Sequence, residues 1–394
     1  MPKLLSIDRT DVLIDLPVRL ALYEDGIIHL FGSLTKLPYF TTSEGTRSQG
    51  IIRKGLNAPT TQKLIINGYV REIYVYLPEL LVHRNKIIDL TRLSVYGLLY
   101  KKMNPTLAKL LLQSPVILEF NKQNPTSAIR SLSHVPLEQA KKIMAQKAQR
   151  KEILELEIRN EVVERILEDA NLSEEDRLMH IKSLDKFVKF IDDRIWYLYM
   201  IVYASPLKEK VKYEFADLIA SYLDRTKIAT HLANVIMELV QNAEKANFDK
   251  LLMEMGWISS ADESFSWLKN SEKRKKLVAL AASQQKFLEI AWRFHKDEVM
   301  HKKDYRLDIV VRNPGIMTHS TEKKLASKMN TDVTDTSLSD FFSESKEEKL
   351  GAGLGLLYIS YLKEECQKAK LDFKTSVYSD RVEKKTEAMI QIVF

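Results

Sequence analysis

Between Leu137 and Ser205 the chain contains neither glycine nor proline, and after Pro206 neither returns until Gly256. These residues cost a helix interior most, about 1 and 3 kcal/mol relative to alanine, so their absence commits the middle of the chain to long helices. Within the first block Leu154, Ile158, Val162 and Ile166 recur every four residues, with Val163 and Leu167 beside them. Lys151, Glu155, Glu157, Arg159 and Glu161 fill the other faces, which is the pattern of an amphipathic helix. Asn171-Leu172-Ser173-Glu174-Glu175-Asp176 then supplies a stop, an N-cap and acidic residues for the next first turn. A helical hairpin is expected. Ile195 to Ala204 follows, too rich in aromatic residues for one stripe of a surface helix, and is expected to pack between domains.

Outside these blocks the chain is heavily punctuated. Seven of the twelve glycines fall between Gly26 and Gly97, and nine of the eleven prolines lie in the first 136 residues. That spacing predicts short extended pieces at Val12 to Leu16, Ile27 to Phe31, Leu64 to Ile66, Glu72 to Tyr76 and Val116 to Phe120. A chain of 394 residues requires at least two cores. The expected division is a β-rich regulatory domain over 1–130, a helical connector over 131–225 and a third domain over 226–394, an α+β protein as a whole.

Composition narrows the class further. With 45% hydrophobic and 29% charged residues the chain has enough apolar material for ordered domains. Its longest unbroken apolar run, Ile195 to Ala204, is about half the roughly 20 residues needed to cross a bilayer as a helix. The start, Met1 to Arg9, meets acid and base before an apolar stretch of secretory length can build up, so a cytoplasmic protein without a membrane partner is expected. A single cysteine, Cys366, excludes an internal disulfide and a multi-cysteine zinc site. The formal charge of +7 arises from 60 basic against 53 acidic residues, and so modest an excess predicts no specific nucleic-acid partner.

Chemistry concentrates after Lys227. Ile228, Leu232, Val235, Ile236, Leu239 and Val240 give one helix an apolar face, while Glu238, Asn242 and Lys245 stand on one side of it at spacings of four and three. A carboxylate, a carboxamide and an ammonium so presented could orient water, ligate a hard cation such as Mg²⁺ and contact phosphate. Further on, the alternating stretch Leu307 to Arg312 reads as a strand and runs into Asn313-Pro314-Gly315-Ile316-Met317. After a polar stretch, Gly351-Ala352-Gly353-Leu354-Gly355-Leu356 opens another helix. Glycines at alternate positions before a helix let backbone N–H groups approach phosphate oxygens.

In this order the three segments closely resemble the N, G1 and G2 boxes of the GHKL ATPase superfamily, which includes histidine kinases and gyrase. Leu338 to Ser343 looks like the F box of its ATP lid, and a helix with strands at Leu371 to Tyr378 and Ala388 to Phe394 matches the close of a histidine-kinase catalytic domain. The resemblance covers residues from Lys227 to the C-terminus and implies an α/β sandwich of the GHKL type that binds ATP with Mg²⁺. It implies that Asn242 ligates the metal, that Lys245 touches the phosphates, that Gly351, Gly353 and Gly355 close over them, and that Glu238 is the catalytic base. Asn313, with Gly315 in the same box, stands where the family keeps an adenine-binding aspartate, and Met317 replaces the second glycine of that box. Asparagine still offers a carbonyl oxygen to the adenine amine, but without a charge. Phe248 to Gln285, with Trp257, Trp267 and the basic run Lys273 to Lys276, looks like a helical insertion.

No histidine has the neighbours of a phosphoacceptor. His180 precedes Ile181-Lys182-Ser183 and is expected on a helix surface, His134 precedes Val135-Pro136, and His231 lies within the N-box helix. Arg92 to Gly97 resembles in part the turn of PilZ domains, but Arg92 replaces its acid or amide, and Arg47 and Arg53 are wrongly spaced for the upstream arginines. The expected function is ATP binding by a signalling protein, with slow hydrolysis or phosphoryl transfer; the alternative is a nucleotide-gated interaction module without turnover. A protein partner or response component is expected, as is a homodimer through the connector.

Overall fold

The computed structural model describes residues 13–33, 37–170, 172–260, 263–299, 302–317 and 354–394. It is a mixed α and β protein that divides into two compact units, one formed by Met1–Gly97 with Lys227–Phe394 and the other by Leu98–Thr226. The three-domain division expected from the sequence is therefore corrected, because the N-terminal and C-terminal regions share one sheet.

Among the described residues that sheet has eight strands. β2 (Val18–Leu22), β3 (Tyr39–Thr41), β4 (Arg47–Arg53) and β6 (Val70–Leu77) come from the N-terminal region, and β7 (Leu288–Val299), β8 (Lys302–Pro314), β9 (Asp372–Asp380) and β10 (Lys385–Val393) from the C-terminal one. The order is β3-β4-β2-β6-β7-β8-β10-β9, with antiparallel neighbours throughout. β1 (Leu13–Ile14) and β5 (Leu56–Asn57) form a separate short pair. The junction is β6 with β7, in register from Glu72 opposite Arg293 to Leu77 opposite Leu288. Side chains alternate across the sheet with period two. Ile73, Trp292, Ile309 and Ile390 form one buried row of the apolar face, and the Trp292 indole donates to Thr91 Oγ1 at 3.1 Å. Glu72, Arg293, Asp308 and Gln391 form the matching row on the opposite, polar face.

Three expected strands are helices. Ile27 to Phe31 lies in α1 (Glu24–Phe31), Leu64 to Ile66 in α2 (Ala58–Ile66), and Val116 to Phe120 in α4 (Pro115–Gln123). Pro59 and Pro115 sit in the first turns of α2 and α4, where a missing N–H leaves no intrahelical bond unmade. Asn57 caps α2 by accepting from Thr60 N at 2.7 Å, with Pro59 just inside, and Pro115 opens α4. Arg92 to Gly97 lies inside α3 (Arg84–Leu112) and forms no turn, so the PilZ-like reading is withdrawn. Gly97 has a packing reason instead, since a side chain there would meet Ile65 Cγ2 of α2 at 2.7 Å.

The helical unit follows the sequence pattern closely. α5 (Leu137–Gln146) leads into α6 (Ala148–Glu168), where Leu154, Ile158, Val162 and Ile166 are all buried. Ser173 caps α7 (Glu174–Lys189), accepting from Asp176 N at 3.1 Å. α8 (Asp193–Tyr203) and α9 (Lys208–Asp224) complete the unit beyond a simple hairpin. The aromatic segment 195–204 makes ring contacts within its own unit. Trp196 and Tyr199 pack on Phe215 of α9 at 5.8 and 4.9 Å between ring centroids, inside the unit. Among the described residues no helix is long and apolar enough to cross a membrane.

α10 (Thr226–Glu254) returns the chain to the sheet-bearing unit. The expected insertion is helical, with α11 (Ser264–Lys269) and α12 (Ser271–Ser283). Phe248, Leu251, Leu252, Ile258, Leu277 and Ala281 form its core, and Trp257 stacks on Trp267 at 4.9 Å. The basic run does not form one patch. Arg274 pairs with Glu79 and with buried Glu244, whose other oxygen accepts from Leu80 N and Leu81 N at 2.8 and 2.9 Å. α13 (Leu354–Lys368) precedes the terminal hairpin of β9 and β10.

Two stability predictions follow. Glu244→Ala strips Arg274 and two backbone N–H groups of their acceptor, so urea unfolding should show a loss of about 3–5 kcal/mol. Asp192 caps α8 through Arg194 N at 2.9 Å and pairs with the Arg194 guanidinium at 2.6 Å. Burial opposes ionisation of Asp192, yet the hydrogen bonds and charge of Arg194 prevail and hold its carboxyl below the ordinary 3.8. Its stabilisation is thus present above the unfolded-state value and lost as pH falls through the lower folded one. Asp192→Ala should cost about 1–2 kcal/mol at neutral pH, and the gap to wild type should close in acid-titrated unfolding.

Candidate functional site on two faces of the sheet

The residues expected to bind nucleotide lie along α10 and at the end of β8. Glu238 is half-buried, while Asn242 and Lys245 are exposed along the same stripe. Burial raises the Glu238 carboxyl above its ordinary value, and the positive charge of Arg84 acts against that rise. Between Asn242 and Lys245, Glu244 turns inward to the Arg274 network described above, so it belongs to the scaffold. Asn313 pairs with Thr386 across β8 and β10, and strand alternation puts it on the face of Ile309 and Val311. Gly315 follows with φ +113°, its N–H donating to Lys384 O at 2.7 Å and its carbonyl accepting from Thr386 Oγ1 at 2.8 Å. A side chain at Gly315 would come within 3.1 Å of Lys250 Nζ on α10. The turn after β8 therefore lies within reach of the Lys250 side chain, which projects from the helix that carries Glu238, Asn242 and Lys245.

Gly355 lies in the first turn of α13. Gly351, Gly353 and the lid segment with Leu338 to Ser343 lie outside the described residues. His180, expected on a helix surface, is instead 1% exposed, with Nδ1 3.9 Å from Asp224. Burial of that degree leaves its ring no access to a phosphoryl donor. His134 is exposed in a short turn with Nδ1 2.8 Å from Ser131 Oγ, and His231 is half-buried beside Tyr361 at 6.0 Å.

The polar face carries a second constellation that sequence reasoning missed. Tyr76, Glu289, Arg312, Glu387 and Tyr378 form a cross-strand row on the same face as the Glu72–Arg293–Asp308 row, with Tyr74, Ala291, Val310 and Met389 between the two. The loop between β3 and β4 folds over both. Ser43 donates its N–H to Glu72 Oε1 and Oε2 at 3.1 and 3.0 Å, its hydroxyl accepts from Arg293 Nε at 2.7 Å, and its carbonyl accepts from Arg312 Nη1 at 2.6 Å. Beneath it lies a cavity of about 550 Å³ whose walls include Arg19, Glu44, Tyr74, Arg293, Arg312 and Lys385. Glu289 accepts from Lys385 Nζ at 2.7 Å, and Glu387 pairs with Arg312. Burial, reinforced by Glu387, pushes the Tyr378 phenol up to about 12, and burial with Glu289 raises Tyr74 also, so both stay protonated and can donate. The signal for this site is present in the sequence, where Glu289 and Arg293, and likewise Asp308 and Arg312, stand four residues apart and so share one strand face. It became readable only with the strand register.

Ligand atoms of Glu44, His295 and Asp308 lie within 4.8 Å of one another at the edge of this network. His295 Nε2 is 2.9 Å from Asp308, and two guanidinium groups crowd the same carboxylates, Arg306 at 3.3 Å from Asp308 and Arg293 at 3.8 Å from Glu44. With those cations in place the trio is an ion-paired network. Asn242 remains the metal-ligating group that the resemblance implies, and an exposed amide oxygen suits Mg²⁺, a hard cation that keeps several waters.

No solved structure matches the chain. An uncharacterized protein of Treponema pallidum (strain Nichols) is 26% identical over 375 residues, which cover 93% of this chain and 94% of that protein. A family of unknown function, DUF8084, matches residues 9–394, and the chain belongs to that family.

Proposed function

We propose that the chain is a cytoplasmic signalling protein that binds Mg-ATP through a histidine-kinase-like site and hydrolyses it slowly. The observation that carries this reading is the approach of Gly315 to the Lys250 side chain, which projects toward the turn after Asn313 from the helix bearing Glu238, Asn242 and Lys245. The order of α10, β7, β8, α13, β9 and β10 along the chain also supports it. Asn242 would hold Mg²⁺, which when bound neutralises charge across the phosphates. Lys245 would contact the phosphates, and Asn313 would accept from the adenine amine through its amide oxygen. Glu238 would take a proton from water as the water oxygen attacks the terminal phosphorus and the bond to the leaving ADP oxygen breaks. A half-buried carboxylate with a raised proton affinity suits that role. Burial of His180 favours water over this histidine as the acceptor, and a protein partner would read the nucleotide state.

Asn242→Ala should weaken magnesium-dependent ATP binding in calorimetry, and Asn313→Asp should strengthen ATP binding by restoring a charge-assisted hydrogen bond. An unchanged affinity in both variants would remove this site from nucleotide binding. Glu238→Gln should lower phosphate release about 10²- to 10⁴-fold with little change in ATP affinity. The base works deprotonated, so wild-type turnover should fall as pH drops through a value above the ordinary 4.5. Tight ATP binding with no phosphate release from wild type would identify a nucleotide gate instead.

A further inference from the structure

We propose that the cavity on the polar face of the sheet binds a hydroxylated small molecule carrying a phosphate or carboxylate group, with Arg19 and Arg293 as its anchors. Arg293 is only 6% exposed, donates Nε to Ser43, and has no hydrogen-bond partner for Nη2 among the described residues. A guanidinium buried this far with an idle donor is costly unless an acceptor arrives. Arg19 enters the same cavity from β2. Its Nη2 donates to the Tyr76 hydroxyl at 3.0 Å, its guanidinium lies 4.4 Å from the centre of that ring, and its buried Nε has no acceptor among the described residues. Among the described residues neither arginine makes a charge-assisted hydrogen bond to a carboxylate at ordinary length; Glu72 Oε2 lies 3.7 Å and Glu44 Oε1 3.8 Å from the Arg293 guanidinium.

The other two cations of the cavity are already engaged, Lys385 by Glu289 and Arg312 by Glu387 and Ser43. Spare donors are therefore localised on Arg19 and Arg293, and guanidinium forks match the planar or tetrahedral oxygens of carboxylate and phosphate. The lining as a whole is not net positive, because Glu44, Glu289, Asp380, Glu383 and Glu387 face four cations. A bare anion gains little from such a mixed wall. A ligand with one oxyanion and several hydroxyl donors satisfies both the idle arginines and the carboxylates, with the Tyr74 and Tyr378 rings beside it. The cavity of about 550 Å³ exceeds what an inorganic ion needs and falls within the range of small-molecule sites, about 300–1,000 Å³. This inference is independent of the nucleotide reading, since Asn242 lies on α10 and contributes nothing to the cavity wall.

The test is calorimetry on the full chain with glucose 6-phosphate and glucuronate, with inorganic phosphate and glucose as controls. Glucose 6-phosphate or glucuronate should bind more tightly than either control, and which of the two binds separates a phosphate from a carboxylate ligand. Arg19→Gln and Arg293→Lys should each weaken binding about tenfold, while Asn242→Ala should leave it unchanged. Arg19 lacks a carboxylate partner among the described residues, so Arg19→Gln decides the matter if the buried Arg293→Lys folds poorly. Failure of both sugar acids to bind, equal binding by a control, undiminished binding in Arg19→Gln, or loss in Asn242→Ala would each overturn the assignment.

Discussion

The pairing of β6 with β7 is the contact on which the sheet-bearing unit depends. It joins residues 72–77 to residues 288–293, and the other described strands of the large sheet lie on one side of that seam or the other. Without it the N-terminal strands would leave the apolar side chains of β6 uncovered, and β7 would present an open edge with a full row of unpaired backbone groups. The entropy cost of closing so long a loop rises only logarithmically with its length, so the intervening helices add little to the penalty of the pairing itself. Leu98–Thr226 forms a compact unit of its own, so the chain leaves the sheet-bearing unit after Gly97 and re-enters it at Lys227.

A sheet formed this way has two chemically different faces. The apolar face is a row of aliphatic side chains around Trp292, fully buried and tied to α3 through Thr91. Two rows of the polar face alternate acid and base across neighbouring strands, Glu72–Arg293–Asp308 and Glu289–Arg312–Glu387, so these charges have opposite neighbours across the ladder. Burying charges is costly unless they are paired and hydrogen-bonded. Ser43 meets that requirement at three points, since its N–H, hydroxyl and carbonyl serve Glu72, Arg293 and Arg312. One short loop thereby converts an open polar surface into a cavity.

β8 links the two candidate sites. Arg312 and Asn313 are consecutive, and alternation sends one toward the polar cavity and the other toward the face of Ile309 and Val311. Beyond them Gly315 takes a positive φ beside the end of the Lys250 side chain, a position where a Cβ would strain the backbone. The turn is held by Lys384 and Thr386 of the neighbouring strand connection, with the Lys250 side chain of α10 beside it.

The sequence by itself determined the elements whose signal is local. The four-residue recurrence of Leu154, Ile158, Val162 and Ile166, the Ser173 cap, the strand through Leu307 to Arg312 and the closing helix and hairpin all appear where the pattern puts them. Short apolar runs were not decisive. Ile27 to Phe31, Leu64 to Ile66 and Val116 to Phe120 fit strand or helix equally by length; Pro59 and Pro115 mark the starts of two of the helices, and the third has acidic Glu24 and Asp25 in its first turn and left-handed Gly32 at its end. The candidate nucleotide residues on α10 were legible because they share one helix. The arginine-lined cavity was not, because its walls come from β2, the β3–β4 loop, β6, β7, β8 and the terminal hairpin. Which strands become neighbours is decided by tertiary pairing, and a one-residue change of register would send Arg293 and Arg312 to the opposite face.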